Sequence, residues 1–217
     1  MKNKDLSKKT HFSQETIKRL SIYLHNLRRL KDEGVTTISS DKITGLLNVT
    51  PVQFRKDLSY FGGFGKRGVG YNVQRLIEEI ENILGIDKNW QIALVGVGKL
   101  GSAMLGFDGF SKFNLKITHA FDIDPKKVGK SKKNVKVYGI KDMSRVLKDN
   151  KIKIAMIAVP PEVAQEIADT LVRSGVSGIL NFSSRVLNLN PEVRVSNVDM
   201  ASELESLIFF AKQGNSK

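Results

Sequence analysis

An apolar run, QIALVGV, leads without a break into Gly96-Val97-Gly98-Lys99-Leu100-Gly101, and a helical stretch, SAMLGF, follows at once. A buried strand that turns on glycines into a helix opens a βαβ unit. In such a turn Gly96 allows the tight bend, Gly98 lets backbone approach a pyrophosphate, and Gly101 lets the helix pack closely on the strand. Val97, Lys99 and Leu100 complete the loop, whose helix N-terminus offers N–H groups to phosphate. Further short apolar runs, KITHAFDI, KIAMIAV and SGILNF, alternate with helical stretches, and VKVYGI reads as a short edge strand. That alternation predicts a doubly wound, Rossmann-type parallel sheet. Asp122 ends the second strand 21 residues after Gly101, where a carboxylate accepts a ribose 2′-hydroxyl and favours NAD(H). Asp124 competes for that role, and Lys126 and Lys127 keep a 2′-phosphorylated cofactor open. A glycine turn that binds nothing is the bland alternative.

The rest of the chain must be compatible with that unit. Its 217 residues suffice for one or two cores, and 41% hydrophobic with 26% charged residues is ordinary for a globular protein. No run approaches the roughly 18 apolar residues of a membrane span. The opening MKNKDLSKKTHFSQ is basic and lacks the apolar run of a secretory signal, so a cytoplasmic location is expected. With no cysteine, disulfides, zinc ribbons and thiol catalysis are excluded, and no metal is expected. The net charge of +13 is uneven: residues 1–75 carry +9 and residues 76–217 carry +4. A basic face of this density suits nucleic acid or an anionic membrane, against the alternative of a solvated cationic surface.

There is no internal repeat, and a boundary falls at residues 85–91. The expected division is 1–85, 86–196 and 197–217. In the first segment Ser13 caps a helix running to about Lys31, with Ile17, Leu20, Leu24, Leu27 and Leu30 at helical spacing and Gly34 at its end. A short extended VTTIS precedes a helix from Ser40 to Leu47. Thr50 then caps a third helix, PVQFRKDLSYF, with Pro51 in first position, and Gly62-Gly63 stops it. This is the outline of a helix-turn-helix. The third helix is expected to turn Val52 and Leu58, with Phe54 and Phe61, toward a core, and to present Arg55, Lys56, Ser59 and Tyr60 outward to double-stranded DNA. Five glycines among residues 62–70 surround Lys66 and Arg67, which suits a basic hairpin wing.

Hydride transfer needs a nearby acid or base, and none is evident. His11 lies in the polar N-terminal arm, His25 in the first helix and His119 inside a strand; Tyr138 reads as packing. Val159-Pro160-Pro161 and Asn181-Phe182-Ser183 follow carboxyl ends of strands, where α/β proteins hold ligands, yet offer shape and hydrogen bonds only. The pattern points to a sensor rather than an enzyme. An oxidoreductase with a basic accessory domain, and a regulator sensing another nucleotide such as coenzyme A, remain the alternatives. The last segment, NVDMASELESLIFFAKQ, is an apolar-faced helix carrying Met200, Leu204, Leu207, Ile208 and Phe210. It either docks on its own sheet or is exchanged in a homodimer.

The stretches QFRKDLSYFGGFGKRGVGYNV, ALVGVGKLG, AFDIDPKKVG, VPPEVAQEIADTLVRSGVSGILNF and NVDMASEL, in this order, resemble the Rex family of bacterial redox-sensing transcriptional repressors. The resemblance implies a homodimer with winged-helix N-terminal domains and swapped C-terminal helices. Such a dimer binds inverted-repeat operators, is released by NADH, and is permitted on DNA by NAD+. It maps the recognition helix onto Arg55, Lys56, Ser59 and Tyr60, and the wing onto Lys66 and Arg67. It further implies a switch aspartate at Asp199, beside Met200, that alternates between a tyrosine near the nicotinamide and an arginine of the first helix. Here those two positions hold Phe107 and His25. Phe107 lacks the hydroxyl and His25 is a pH-dependent cation, so coupling is expected to be smaller or pH-sensitive.

Overall fold

The computed structural model describes residues 12–65 and 69–214. Two compact units divide the chain, residues 1–88 and 89–217.

The first unit is helical. Helix α1 (Gln14–Asp32) starts where the Ser13 hydroxyl accepts the Thr16 N–H. It buries Leu20, Tyr23, Leu24, Leu27 and Leu30, one side of a 3.6-residue repeat. Strand β1 (Thr37–Ile38), helix α2 (Ser40–Thr44) and helix α3 (Pro51–Ser59) follow. Helix α2 is shorter than its sequence suggests, because residues 45–48 close as turns. The Thr50 hydroxyl accepts the Gln53 N–H and Pro51 sits in the first turn, as the sequence requires. Helix α3 ends at Ser59, before the expected stop at Gly62. Strand β2 (Tyr71–Asn72) pairs antiparallel with β1, so the chain returns to the strand before α2. Helix α4 (Val73–Leu84) lays Val73, Leu76, Ile77 and Ile80 into the same core and ends at Gly85, whose φ of 69° is left-handed.

Within α3 the burial differs from expectation at one position. Phe54 and Leu58 are buried, but Val52 is 67% exposed. The third member of the buried side is instead Asp57, which completes the i, i+3, i+4 set with Phe54 and Leu58. Arg19 grips it at two points, Nε to Oδ2 at 2.6 Å and Nη2 to Oδ1 at 2.8 Å. The Tyr23 hydroxyl donates at 2.8 Å and the Gln53 amide at 2.7 Å. Burial by itself would raise the Asp57 carboxyl, but these bonds outweigh it and hold the group below the usual aspartate value. Tyr23 is pushed up, first by burial and then by its bond to the carboxylate.

The second unit contains a seven-stranded sheet. Its elements are β3 (Trp90–Val95), α5 (Lys99–Leu105), β4 (Leu115–Asp122), β5 (Ser131–Lys132), β6 (Val135–Gly139), α6 (Met143–Asp149), β7 (Ile154–Ile157), α7 (Pro161–Arg173), β8 (Gly178–Asn181), β9 (Arg194–Asn197) and α8 (Met200–Gly214). A 3-10 segment, Asp108–Phe113, lies between α5 and β4. The strand order is β5-β6-β4-β3-β7-β8-β9, parallel except for the β5–β6 hairpin. Without β5 this is the doubly wound 3-2-1-4-5-6 order, with its switch point between β3 and β7. The hairpin makes β6 an inner strand, not the edge expected of VKVYGI. Strand β9 had no sequence signal, since RVSN is short and without apolar alternation.

Ala93, Val95, Phe121, Ala155 and Ile157 face α6 and α7, while Ile92, Leu94, Ile117 and Met156 face α5 and the 3-10 segment. Ile117 and Phe121 have the same parity along β4 yet lie on opposite faces. Thr118 is unpaired in the register between β3 and β4, and this bulge changes the side. Among the described residues no helix is long and apolar enough to cross a membrane.

Removing one partner from the buried Asp57 cluster strands the others. Asp57→Asn is expected to destabilise the first unit by about 3–5 kcal/mol, and Tyr23→Phe by about 1–3 kcal/mol, read by chemical denaturation. The folded Asp57 value lies below the unfolded value of about 3.9. Its stabilisation is therefore present above that value and lost as pH falls through the folded one. Asp57→Asn should accordingly flatten the acid limb of the stability curve.

Candidate functional site

On α3, Val52, Arg55, Lys56 and Ser59 are all exposed and fall at i, i+3, i+4 and i+7, one stripe of the helix; Tyr60 continues it just past the end. The opposite side is the one clamped to α1 through Asp57. Arg55 Nη1 donates to the Ser40 hydroxyl at 2.7 Å, so its guanidinium leans toward the start of α2. The Ser59 hydroxyl donates back to the Lys56 carbonyl at 2.7 Å. An open concavity of about 820 Å³ lies beside this stripe, between Ser39–Asp41, Arg55 and the loop at Gly62–Gly65. Lys66 and Arg67 fall outside the described residues.

At the switch point the three glycines have three different surroundings. Gly96 has φ 95°, and a Cβ there would overlap the Ala158 carbonyl at the end of β7 and the Val159 side chain. A Cβ on Gly101 would overlap the Gly96 carbonyl oxygen. Gly98 alone opens on free space, with nothing within 4 Å of its Cβ position. It also stands at the start of α5 with no side chain capping that end. Lys99 is exposed, Leu100 is half-buried, and Val159 and Pro160 flank the loop across the switch point. A turn that needed glycine only for its own bend would not leave the middle one bare. The opening fits a group that must approach backbone closely, such as a pyrophosphate.

The two aspartates differ. Asp122 is buried, and its carboxylate accepts the Val97 N–H at 2.8 Å, the Asp124 N–H at 2.8 Å and the Lys127 ammonium at 3.0 Å. Burial would raise this carboxyl, but these donors hold it below the ordinary value. It therefore ties the glycine loop to the end of β4. Asp124 is partly exposed, and among the described residues its carboxylate accepts the Lys126 N–H at 2.9 Å, with Lys127 3.9 Å away. Asn181 is fully buried. Its amide donates to the Arg185 carbonyl and Asn197 Oδ1, and its oxygen accepts from the Ser183 N–H and hydroxyl. That set satisfies the side chain internally, so Asn181 shapes the crevice wall rather than offering it a free group.

Phe107 is 57% exposed and packs edge-on to Phe110 at 4.9 Å, beyond α5 rather than in the glycine cradle. Met200 and every other described side chain of α8 are exposed, so the helix does not dock on its own sheet. Asp199 caps it, its Oδ1 accepting the Ala201 and Ser202 N–H groups at 3.0 and 3.2 Å. His25 sits on α1 with its imidazole held below the ordinary value, first by partial burial and then by Arg28. His119 is buried in β4, stacked on Tyr138 with ring centroids 5.9 Å apart, and bonded to the Thr118 hydroxyl. Its surroundings are those of a packed side chain.

Asp57 and Asn197 escaped sequence reasoning, as did the pairing of Lys127, read there only for a 2′-phosphate, with Asp122. The first had a usable signal, a carboxylate on the same helical stripe as Phe54 and Leu58. The other two act through pairings that no local pattern encodes.

A family model described as "CoA binding domain" matches residues 87–185, and one for a "DNA-binding protein N-terminus" matches residues 11–59. The chain is 47% identical over 196 residues to a redox-sensing transcriptional repressor Rex of Desulfitobacterium hafniense, covering 90% of this chain and 93% of that one. It is 41% identical to the repressor of the same name from a Roseiflexus species, over 89% and 88% of the two chains. Among solved structures it resembles RSP in complex with β-NAD+ and operator DNA, with TM-score 0.86 and 34% identity over 96% of this chain and 100% of that one. RSP in complex with β-NADH gives TM-score 0.85 at 32% identity, over 95% and 97%.

The glycines can be separated by stability. Gly101→Ala overpacks a backbone contact and is expected to cost about 1–3 kcal/mol, several degrees of melting temperature. Gly98→Ala meets nothing and should leave the melt within about 1 °C of wild type.

Proposed function

The chain belongs to the Rex family of redox-sensing transcriptional repressors, and we propose that it binds inverted-repeat operator DNA through α3 and is released by NADH. It is a repressor and not an enzyme, like the relatives it matches. The observation that carries this reading is the presence, on one chain, of a cationic helix stripe clamped from behind and a glycine cradle open only at Gly98. Arg55 and Lys56 supply guanine-edge and phosphate contacts, Ser59 and Tyr60 further hydrogen bonds, and Lys66 and Arg67 a basic wing. We place the protein in the cytoplasm, with its DNA.

In the cradle, Gly98 admits the pyrophosphate, and Asp124 accepts the adenosine ribose hydroxyls because Asp122 is already committed to Val97, Asp124 and Lys127. Val159 and Pro160 border the dinucleotide, and Asn181 holds the wall beyond them. The cofactor supplies the redox signal as charge, cationic when oxidised and neutral when reduced. Phe107 and Met200 favour the neutral ring once they are removed from water. The bare apolar surface of α8 supports a homodimer, in which Leu204, Leu207 and Ile208 are covered by a second copy. A dimer sets its two recognition helices about 34–36 Å apart, or a multiple of that, so any rotation of the DNA-binding units releases the operator. Differential affinity of NADH for the rotated state supplies the coupling.

The matching "CoA binding domain" model favours one second reading, coenzyme A in the same cradle. Both ligands place a pyrophosphate at Gly98. The two differ at the adenosine ribose, where coenzyme A carries a 3′-phosphate, and beyond the pyrophosphate, so competition between them distinguishes the readings.

Fluorescence anisotropy of a labelled inverted-repeat duplex should fall on titration with NADH and hold with NAD+ or coenzyme A. Gly98→Ala should keep DNA binding and lose the NADH response. Indifference of the wild type to NADH would overturn the sensor reading. Because His25 is held below its ordinary value, its cation is populated only on the acid side. The NADH response should be larger at pH 6 than at pH 8, and His25→Ala should remove that difference. Leu207→Glu should shift the sedimentation equilibrium toward monomer, weakening association at least tenfold.

A further inference from the structure

The outward stripe of α3 contains one residue that phosphate contacts and hydrogen bonds do not explain. Val52 is 67% exposed, is absent from the hydrophobic cluster of its unit, and shares its stripe with Arg55, Lys56 and Ser59. It is the second residue of the helix, directly after the Thr50 cap and Pro51. The N-terminal residues of a recognition helix are those that reach base edges. Its polar neighbours already hold internal partners: Gln53 is bonded to Asp57, Arg55 to Ser40, and Ser59 to the Lys56 carbonyl. Val52 has no hydrogen bond to exchange. A β-branched side chain in a helix has one preferred rotamer, so its two methyl groups form a stiff apolar knob at a fixed place. The major groove offers one apolar feature, the C5-methyl of thymine.

We propose that Val52 is a specificity-determining residue that reads a thymine methyl at one base pair of each operator half-site. The inference rests on the DNA-binding reading above and adds to it a position where sequence is chosen by shape and burial instead of hydrogen bonding. Lys56 then sets affinity and register and Arg55 reads a guanine edge, while Val52 discriminates thymine from cytosine and from uracil.

The test uses the full chain and the tightest-binding duplex it selects from a randomised pool. Thymines are replaced one pair at a time by deoxyuridine, which removes only the methyl. At one position per half-site the substitution should weaken wild-type binding about three- to tenfold, the scale of burying a methyl group or slightly more. Val52→Ala should be weaker than wild type on the parent duplex by a similar factor and indifferent to deoxyuridine at that position. Its melting temperature and the salt dependence of its binding should be unchanged, since the side chain supports neither core nor phosphate contacts. Sensitivity of Val52→Ala to deoxyuridine at every position where wild type is sensitive would overturn the inference, as would a wild type indifferent to all such substitutions. Failure of the wild type to enrich any duplex would overturn the DNA-binding reading itself, and this inference with it.

Discussion

A carboxylate inside the helix that carries the cations holds the first unit in order. Asp57 lies on the inner side of α3 and collects Arg19, Tyr23 and Gln53. A buried charge is tolerable only when its hydrogen-bonding capacity is met and a counter-charge is near, and here both conditions depend on α1 and α3 keeping one orientation. An apolar contact would let α3 slide or roll by a fraction of a turn at little cost. A fork of two nitrogens on two oxygens would not. The direction in which Arg55 and Lys56 project is thereby set from behind the helix.

The second unit solves a comparable problem with backbone instead of charge. Gly96 and Gly101 let β3, β7 and α5 approach until a methyl group would not fit between them. Asp122 then fastens the resulting loop by its Val97 N–H to the end of the neighbouring strand. Rigidity is thus concentrated around Gly98, whose own surroundings are empty. A site that must accept a phosphate close to its backbone is more useful pre-formed than flexible, since nothing has to be ordered when the ligand arrives.

Most of the architecture was legible because it is written locally. Ser13 and Thr50 cap helices with their own hydroxyls, Pro51 fits a first turn, and the parallel strands other than β9 read as short apolar runs. The glycine loop declared its turn. What the sequence concealed depends on partners far along the chain. Val52 looks like core because valine usually is, and Asp57 shares a stripe with Phe54 and Leu58 without being apolar. The fold turns Val52 outward and buries Asp57 in its place. Asn181 stood at a strand end where ligands are held, but Asn197 and Ser183 had claimed its amide. The bulge at Thr118 likewise reassigns faces along β4, which strict alternation would misplace.

Helix α8 is fifteen residues long, and its described side chains, apolar ones such as Leu204, Leu207 and Phe210 included, are exposed. A helix of that length is only marginally stable in water, and the Asp199 cap contributes on the order of 1 kcal/mol to it. In the homodimer proposed above its helicity is therefore governed by mass action: at low chain concentration it frays, and at higher concentration the second copy completes it. The order of this segment in that proposed dimer tracks the amount of chain present, so that a newly made copy acquires its finished form only by meeting another.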